Sequence, residues 1–441
     1  MAVRICLDIE ESYLWLIREG NEMQQIKELY NIMAFALRKI ENCAKECDFE
    51  RLRNIEEQYE WLIVEELIFL VKCLDSFLEG TFYRYIPVDQ DRYSFECLND
   101  NFQECRICLI PRIICGWEHK NRDAYTSYSI FYYLRNFYYI CLCDVEDYEV
   151  QHILMPKNLF REAIKRGELR IMVSSVIEEK VVETEEPYVR DHARFVSIKP
   201  IEHDMEVKLR NICKDALKIA SSNKADILLF PEMLGTTDIA DCLANELYMR
   251  EDILNNEFPR LTICPTIWKQ HHNYCRLLDD IGDVLCEQQK HHGVDLKQCS
   301  AKEDIRSDRR IFILHCNGVG RIAVAICKDF LVTSYLKILV EKLKVNLLLV
   351  PSFTGKDYHF GVLLPKYGEQ DLNVIWINTC SARCLNEEGE ARPSVTMAYL
   401  PGKRGVSCEK HEVNDLCGKQ CHYHKACIYT YQILLDSEVV V

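Results

Sequence analysis

The chain of 441 residues is long enough for two or more domains, and a hydrophobic fraction of 48% excludes a disordered chain. Its formal net charge of −15 argues against a general nucleic-acid-binding protein, which needs a basic face to neutralise phosphates. The N-terminus does not read as a secretory signal and the apolar runs are too short to cross a membrane, so we expect a cytoplasmic protein whose 24 cysteines are reduced.

The N-terminal part of the chain has the periodicity of helices. Apolar residues recur every three or four positions from Ile26 to Ile40, and again from Leu62 to Leu78. The aromatic stretch from Tyr125 to Tyr139 is typical of a buried aromatic core or a helix-packing face, and a partner or ligand surface is the alternative. This half of the chain contains no catalytic motif that we recognise.

An acidic segment marks the expected domain boundary. Five of the ten residues from 178 to 187 are glutamates and the segment ends at Pro187, which predicts a solvated linker. We therefore expect a mainly α-helical domain of unknown role over residues 1–190 and a second domain over residues 191–441.

Beyond this boundary, short apolar strands alternate with helices. The segment from Leu209 to Ala220 has one apolar helical face, and the apolar strand Ile227–Phe230 follows it. A second strand–helix–strand unit runs from Arg321 to Val350 and stops at Pro351. Strands that are apolar along nearly their whole length predict an α/β layer architecture.

Cys327 lies where the strand Ile322–Ile326 ends and a helix is expected to begin. Free backbone N–H groups and the positive end of the helix would favour the thiolate, which is the nucleophilic form of cysteine. The same N–H groups could bind an oxyanion. Taken alone, however, this residue is more often simply one buried cysteine among 24.

Two charged residues are candidates for the same chemistry. Glu232 follows the strand Ile227–Phe230 directly after Pro231, at the strand end where α/β folds place their sites, and partial burial would fit it for proton transfer. Lys290 lies after a turn and a strand, and its ammonium could stabilise a developing oxyanion. Taken singly, each of the two is more often an ordinary loop or surface residue.

Five sequence blocks, in the family's order, resemble those of the nitrilase or carbon–nitrogen hydrolase superfamily. They are Phe230–Glu232, Gly282–Lys290, the nucleophile block Gly320–Asp329, Asn346–Ser352 and Val374–Asn378. Each block is weak alone, but the ordered set is specific. The resemblance covers the chain from about Ala193 to its C-terminus.

This resemblance implies an α/β fold of a particular kind, the four-layer α-β-β-α sandwich of the nitrilase type. It also implies a catalytic triad of Glu232, Lys290 and Cys327, with the backbone N–H of Lys328 in the oxyanion site. The reaction would be the cleavage of a non-peptide carbon–nitrogen bond, in a small-molecule amide or nitrile, through a thioester or thioimidate on Cys327. Such an enzyme needs no metal and no organic cofactor, and family members often form homodimers through helices near the site.

The chain departs from the family pattern at two positions. Lys328 stands where many members carry Tyr or Trp, and Gln298 stands where a second structural glutamate often lies. Glu287 and Glu303 both remain candidates for that second glutamate. These departures bear on the substrate class and the activity, while the expected fold is unaffected.

A cluster of cysteines and histidines near the C-terminus has the residue types that zinc prefers. Its members are Cys408, His411, Cys417, Cys421, His422, His424 and Cys427. Their spacings match no common zinc module, which favours a cysteine-rich loop over a structural metal site.

Two alternatives to hydrolysis remain open. One is a regulatory or sensing module that binds a ligand or partner without turnover. Similar domains occur fused to prokaryotic reverse transcriptases linked to phage defence, although this chain has no Tyr-x-Asp-Asp motif and is not itself such an enzyme. The other is acyl transfer, in which an amine intercepts the thioester.

Overall fold

The computed structural model describes most of the chain between residues 147 and 435, and shorter stretches before it. The described residues are 29, 32–38, 40, 67–76, 107–113, 115–117, 134, 136–141, 145, 147–156, 158–249, 258–296, 300–368, 372–385, 393–400, 409–413 and 427–435.

The described strands and helices are numbered in chain order. The strands are β1 (Ile107–Pro111), β2 (Phe137–Cys141), β3 (Glu149–Leu154), β4 (Glu168–Val176), β5 (Tyr188–Arg190), β6 (Ala193–Val196), β7 (Ile227–Leu229), β8 (Leu261–Ile263), β9 (Ile267–Lys269), β10 (His272–Asp279), β11 (Val284–Gln289), β12 (Asp295–Leu296), β13 (Ala301–Glu303), β14 (Arg310–Cys316), β15 (Gly320–Val324), β16 (Leu347–Ser352), β17 (Asn373–Asn378), β18 (Thr396–Leu400), β19 (Glu409–Val413) and β20 (Cys427–Leu434). The helices are α1 (32–38), α2 (67–76), α3 (Arg161–Arg166), α4 (His203–Ser222), α5 (Thr237–Tyr248), α6 (Lys328–Leu331), α7 (Thr333–Lys337) and α8 (Tyr358–Gly368).

The chain divides into two compact units, and the division differs from the predicted boundary between residues 190 and 191. The first unit is residues 1–113 with 120–146, and the second is residues 114–119 with 147–441. The second unit begins earlier than predicted because β3 pairs with β14 and β4 pairs with both β7 and β20. Partners so distant in the chain leave no trace in local periodicity.

The first unit contains strands as well as helices. Helices α1 and α2 bury apolar side chains such as Met33 and Val71, as their periodicity predicts. β1 and β2 form an antiparallel pair where the sequence predicts a mainly helical domain. The carboxylate of Asp75 accepts hydrogen bonds from the backbone N–H groups of Asn136 and Phe137, each at 3.1 Å, and so ties α2 to β2. Most of the remaining predicted helical and aromatic positions of this unit lie outside the described residues.

The second unit is built on two large sheets. The first sheet has the strand order β11-β10-β8-β7-β4-β20, with β9 also paired to β10. The second sheet has the order β19-β18-β17-β16-β15-β14-β3. The central strands β4, β7 and β8 of the first sheet are parallel, and so are β15, β16 and β17 of the second. Residues that follow parallel neighbours meet at one edge of a sheet, which is where α/β folds place their sites.

Helices and side chains cover these sheets. Helices α4 and α5 bury one apolar face each in a cluster that includes Met172 of β4 and Leu228 of β7. Helix α8 packs on the second sheet through Phe360, whose ring lies 5.2 Å from that of Trp376. The Tyr431 hydroxyl of β20 donates a hydrogen bond to the Thr396 hydroxyl of β18 at 3.0 Å, which connects the two large sheets. The α/β layer prediction is therefore confirmed in its general form.

The acidic segment 178–187 is partly buried, whereas the sequence predicts a solvated linker. Val181 and Val182 are 9% exposed, and the Val181 N–H donates to the Ser381 hydroxyl at 3.2 Å. Glu183, Glu185 and Glu186 are exposed, whereas Glu178 and Glu179 are half-buried. Glu183 pairs with Lys180 and Lys199. The charge pattern of the segment therefore predicts only its solvent-facing side. The segment leads into the small sheet β12-β13-β6-β5.

Candidate active site

Three strand ends bring together the residues that the sequence singles out. Glu232 follows β7, Lys290 follows β11 of the same sheet, and Cys327 follows β15 of the second sheet. All three side chains are buried, at 1%, 1% and 3% exposure. The Lys290 ammonium donates to Glu232 Oε1 at 2.8 Å. The Cys327 sulfur lies 4.0 Å from the Phe353 carbonyl oxygen and close enough to the Glu232 carboxylate and the Lys290 ammonium for both charges to act on it. Glu232 and Lys290 are therefore in direct contact, and Cys327 lies close to both of them.

The Glu232 carboxylate is held by donors on both of its oxygens. Oε1 accepts from Asn273 Nδ2 and from Lys290 Nζ, each at 2.8 Å, and Oε2 accepts from the Phe353 N–H at 2.8 Å. The backbone turns sharply after this residue, because Met233 has a φ of 68°. The Met233 N–H is satisfied by the Thr266 hydroxyl at 2.8 Å. The carboxylate is therefore fixed in one orientation by three donors.

The Lys290 ammonium lies between two carboxylates. Besides Glu232, it donates to Glu303 Oε1 at 3.1 Å and to Glu303 Oε2 at 2.8 Å. Glu303 ends β13, is 5% exposed, and also accepts from the Val294 N–H. Glu287, the other candidate for the second glutamate, has a 46% exposed side chain paired with Arg276. The tertiary structure therefore selects Glu303, while Gln298 lies outside the described residues.

Cys327 occupies a strained turn between β15 and helix α6. Its φ of 48° and ψ of −101° are unusual for a residue with a side chain, and such strain is common at functional positions. Its N–H donates to the carbonyl of Pro351 at 2.9 Å, which anchors the turn on β16. Lys328 is the first residue of α6, so its N–H has no acceptor within that helix. This turn presents the sulfur and a backbone donor side by side.

The electrostatics of the site favour a resting thiol, whereas the sequence interpretation favours a thiolate. Burial raises the pKa of the Cys327 thiol above its usual range, and the neighbouring Glu232 carboxylate raises it further. Helix α6 has only four residues, so its dipole does not offset the burial. A base must therefore remove the proton before the sulfur can attack.

Glu232 and Lys290 shift each other's pKa in opposite directions to their burial. Burial raises the pKa of Glu232, and the Lys290 ammonium opposes the rise. Burial would lower the pKa of Lys290, but Glu232 and Glu303 outweigh it and hold that pKa well above its usual range. Lys290 therefore remains an ammonium, and the Glu232 carboxylate bound to it also raises the pKa of the nearby Cys327 thiol.

Asp329 is a site residue that the sequence reasoning did not assign. Its carboxylate is 1% exposed and accepts from the His292 N–H and the His292 Nδ1, each at 2.8 Å. It also accepts from the N–H of His291 at 3.1 Å. These bonds tie the turn of Cys327 to the residues that directly follow Lys290.

The sequence reasoning also missed Asn273, although the alternation of residues in its strand could have indicated it. In β10 the side chains of Asn273, Cys275 and Leu277 alternate on the buried face, so a polar amide takes a position that the pattern reserves for apolar residues. A buried polar residue in an apolar stripe needs a partner, and here that partner is Glu232.

Metal ligands are not grouped in the described part of the chain. No cluster of three or more His, Cys, Asp or Glu side chains there could hold a metal ion. The predicted C-terminal cysteine and histidine cluster lies almost entirely outside the described residues, apart from Cys427 in β20 and the backbone of His411 in β19. Among the described residues, no helix is both long and apolar enough to cross a membrane.

Solved structures of an amidase from Nesterenkonia sp. AN1 are similar to this chain. One, with the acetamide moiety of fluoroacetamide added covalently at the active site cysteine, is 15% identical and has a TM-score of 0.42. The similarity covers 62% of this chain and 94% of that chain. A variant in complex with butyramide gives the same values, and a further variant, described as an amidase from the nitrilase superfamily, is 16% identical. These amidases belong to the superfamily that the sequence blocks resemble. No family model and no curated protein matches the sequence.

Proposed function

We propose that the second unit is a hydrolase that cleaves a non-peptide carbon–nitrogen bond of a small molecule, with Glu232, Lys290 and Cys327 as its triad. One observation carries this proposal: a buried ammonium is bound to a buried carboxylate at 2.8 Å, and a buried thiol lies close enough for both charges to act on it. Burying such charges costs free energy, so an arrangement of this kind is typical of a functional site.

The first step would be attack by the sulfur on the carbonyl carbon of an amide. The Glu232 carboxylate takes the thiol proton as the Cys327 sulfur forms its bond to carbon, and the carbonyl π electrons move to oxygen. The Lys290 ammonium and the Lys328 N–H stabilise the resulting oxyanion, because the positive charge of Lys290 acts on the sulfur and the Lys328 N–H belongs to the turn that carries it.

The second step would release the amine. The protonated Glu232 returns its proton to the nitrogen as the carbon–nitrogen bond breaks, which leaves a thioester on Cys327. Water then attacks the thioester as Glu232 accepts the water proton. Glu232 passes that proton to the sulfur as the carbon–sulfur bond breaks, which gives the carboxylic acid and the free thiol. With a nitrile the first adduct is a thioimidate.

The test is mass spectrometry of the intact protein exposed to a panel of small amides and nitriles, together with an assay for released ammonia. We expect an acyl adduct on Cys327 and ammonia release, both lost in Cys327→Ala with folding intact by circular dichroism. Cys316→Ala is the matched control, because Cys316 is also buried but ends β14 and has no charged neighbour that shifts the pKa of its thiol.

Three outcomes separate the alternatives. Ammonia release that persists in Cys327→Ala contradicts the proposal. An adduct that turns over only when an amine is added indicates acyl transfer. A protein that binds panel members without adduct or turnover is a regulatory or sensing module.

We also propose the four-layer α-β-β-α sandwich and a cytoplasmic homodimer. The sandwich is supported by the Tyr431–Thr396 hydrogen bond between the two large sheets and by the packing of α4, α5 and α8 on those sheets. The homodimer rests on the sequence resemblance alone, and light scattering of the purified protein would test it.

A further inference from the structure

Asn273 contacts both charged members of the proposed triad. Its side-chain amide donates to Glu232 Oε1 at 2.8 Å, and its backbone carbonyl accepts from the Lys290 N–H at 2.7 Å. The residue lies in β10 and is 0% exposed, so no water competes for these bonds. Asn273 is thus placed to influence both the position and the charge of Glu232.

The other end of the same amide is unsatisfied. Asn273 Oδ1 is buried and has no hydrogen-bond partner among the described residues. An unpaired buried carbonyl weakens folding, and an apolar side chain of similar shape would avoid that loss. The amide is therefore poorly explained as a stabilising group, and its one good bond is the donation to Glu232.

We propose that Asn273 is a positioning residue that sets the pH range over which Glu232 accepts the proton of the Cys327 thiol. The titratable and charged groups that face Glu232 are Lys290 from the end of β11, Glu303 from β13 and Cys327 from the turn after β15. Asn273 adds a neutral donor to the oxygen that also receives the lysine. A neutral donor stabilises the charged form of a carboxylate and so keeps it available as a base at lower pH.

This inference depends on the proposed role of Glu232 as a base, and its test does not require turnover. Iodoacetamide labelling of Cys327 in the full chain is followed by peptide mass spectrometry from pH 4 to pH 9, in wild type, Asn273→Leu and Asn273→Ser. We expect the inflection of the labelling rate to move up by about one pH unit in both variants, with labelling about tenfold slower below it. The urea midpoint of Asn273→Leu should equal or exceed that of wild type.

Thr266→Val is the matched control. Thr266 is 0% exposed and its hydroxyl accepts from the Met233 N–H, one residue from Glu232, without touching the carboxylate. Losing this acceptor should lower the urea midpoint and leave the labelling inflection in place.

Several results overturn the proposal. The first is a folded Asn273→Leu variant whose labelling inflection is unshifted, and the second is a wild-type labelling rate without an inflection. The third is unfolding of both Asn273 variants, because the side chain would then have a structural role. If no amide or nitrile is turned over but the inflection shifts as described, the proposed hydrolase function fails while the role of Asn273 stands.

Discussion

At the residue scale, the site is a balance of two carboxylates, one ammonium and one thiol. Lys290 is 1% exposed and could not stay charged there without partners, and Glu232 and Glu303 supply them at 2.8 Å each. The two carboxylates differ in what else they touch. Glu232 faces the thiol, while Glu303 accepts the Val294 N–H. One carboxylate is therefore placed to move a proton, and the other to hold the lysine.

Glu303→Gln tests this division of roles. The substitution leaves the buried ammonium with one carboxylate, so we expect the lysine to lose its fixed position and turnover to fall by about a hundredfold or more. The free energy of unfolding should fall by about 3 kcal/mol. Glu287→Gln is the control, because the 46% exposed Glu287 pairs only at the surface and its loss should change stability by no more than about 0.5 kcal/mol. Equal effects of the two substitutions on turnover would contradict the assignment of Glu303.

At the element scale, the site depends on turns that are tied to one another across the two sheets. The turn of Cys327 is anchored on β16 by the Pro351 carbonyl and on the segment after β11 by Asp329. The strand ends supply the side chains, while these bonds set their spacing. A small displacement of a reacting group lowers the rate strongly, so the ties between turns matter as much as the strands.

Asp329→Ala tests the hydrogen bonds that join the turn of Cys327 to the residues directly after Lys290. Its removal leaves two backbone N–H groups and the His292 ring without their buried acceptor, so we expect a loss of about 3 kcal/mol in unfolding free energy and a fall in turnover. Asp308→Ala is the control. Asp308 accepts from the N–H and the side chain of Arg310 two residues away and joins no separate elements, so its loss should cost less than about 1 kcal/mol. Unchanged turnover in Asp329→Ala would show that these hydrogen bonds do not position the reacting groups.

At the scale of the whole molecule, strands from both ends of the second unit hold it together. β3 pairs with β14, and β20 pairs with β4. His152 of β3 and His315 of β14 face each other, with 3.0 Å between Nδ1 and Nε2, in a site that excludes water. Burial, with Arg321 nearby, lowers the pKa of His152 to about 3, and burial lowers that of His315 well below its usual range.

This histidine pair predicts that stability falls in mild acid. In the folded protein His152 stays neutral, whereas in the unfolded chain its pKa is near 6.5, so unfolding takes up protons below that pH. Stability is therefore complete above about pH 6.5 and declines as the pH falls towards 3. His152 alone should cost about 2 kcal/mol between pH 6.5 and pH 5.

Urea unfolding at several pH values would measure this slope, and His152→Gln should reduce it. A glutamine can replace the hydrogen bond to His315 without titrating. A slope that is the same in the variant would exclude His152 as its source.

The alternation of apolar strands and helices is a local pattern, and it was enough to predict the α/β class of the second unit. The ordered blocks that resemble the nitrilase superfamily pointed to Glu232, Lys290 and Cys327, none of which stands out by itself. The folded structure was needed to see that Glu303 and not Glu287 binds Lys290, and that Asn273 and Asp329 lie beside these residues. It was also needed to place the strands between residues 149 and 176 in the second unit. It also decided that the resting sulfur is a thiol, since burial outweighs the end of a four-residue helix. The physical reason is common to all of these: burial, pairing and charge balance depend on neighbours that lie far away along the chain.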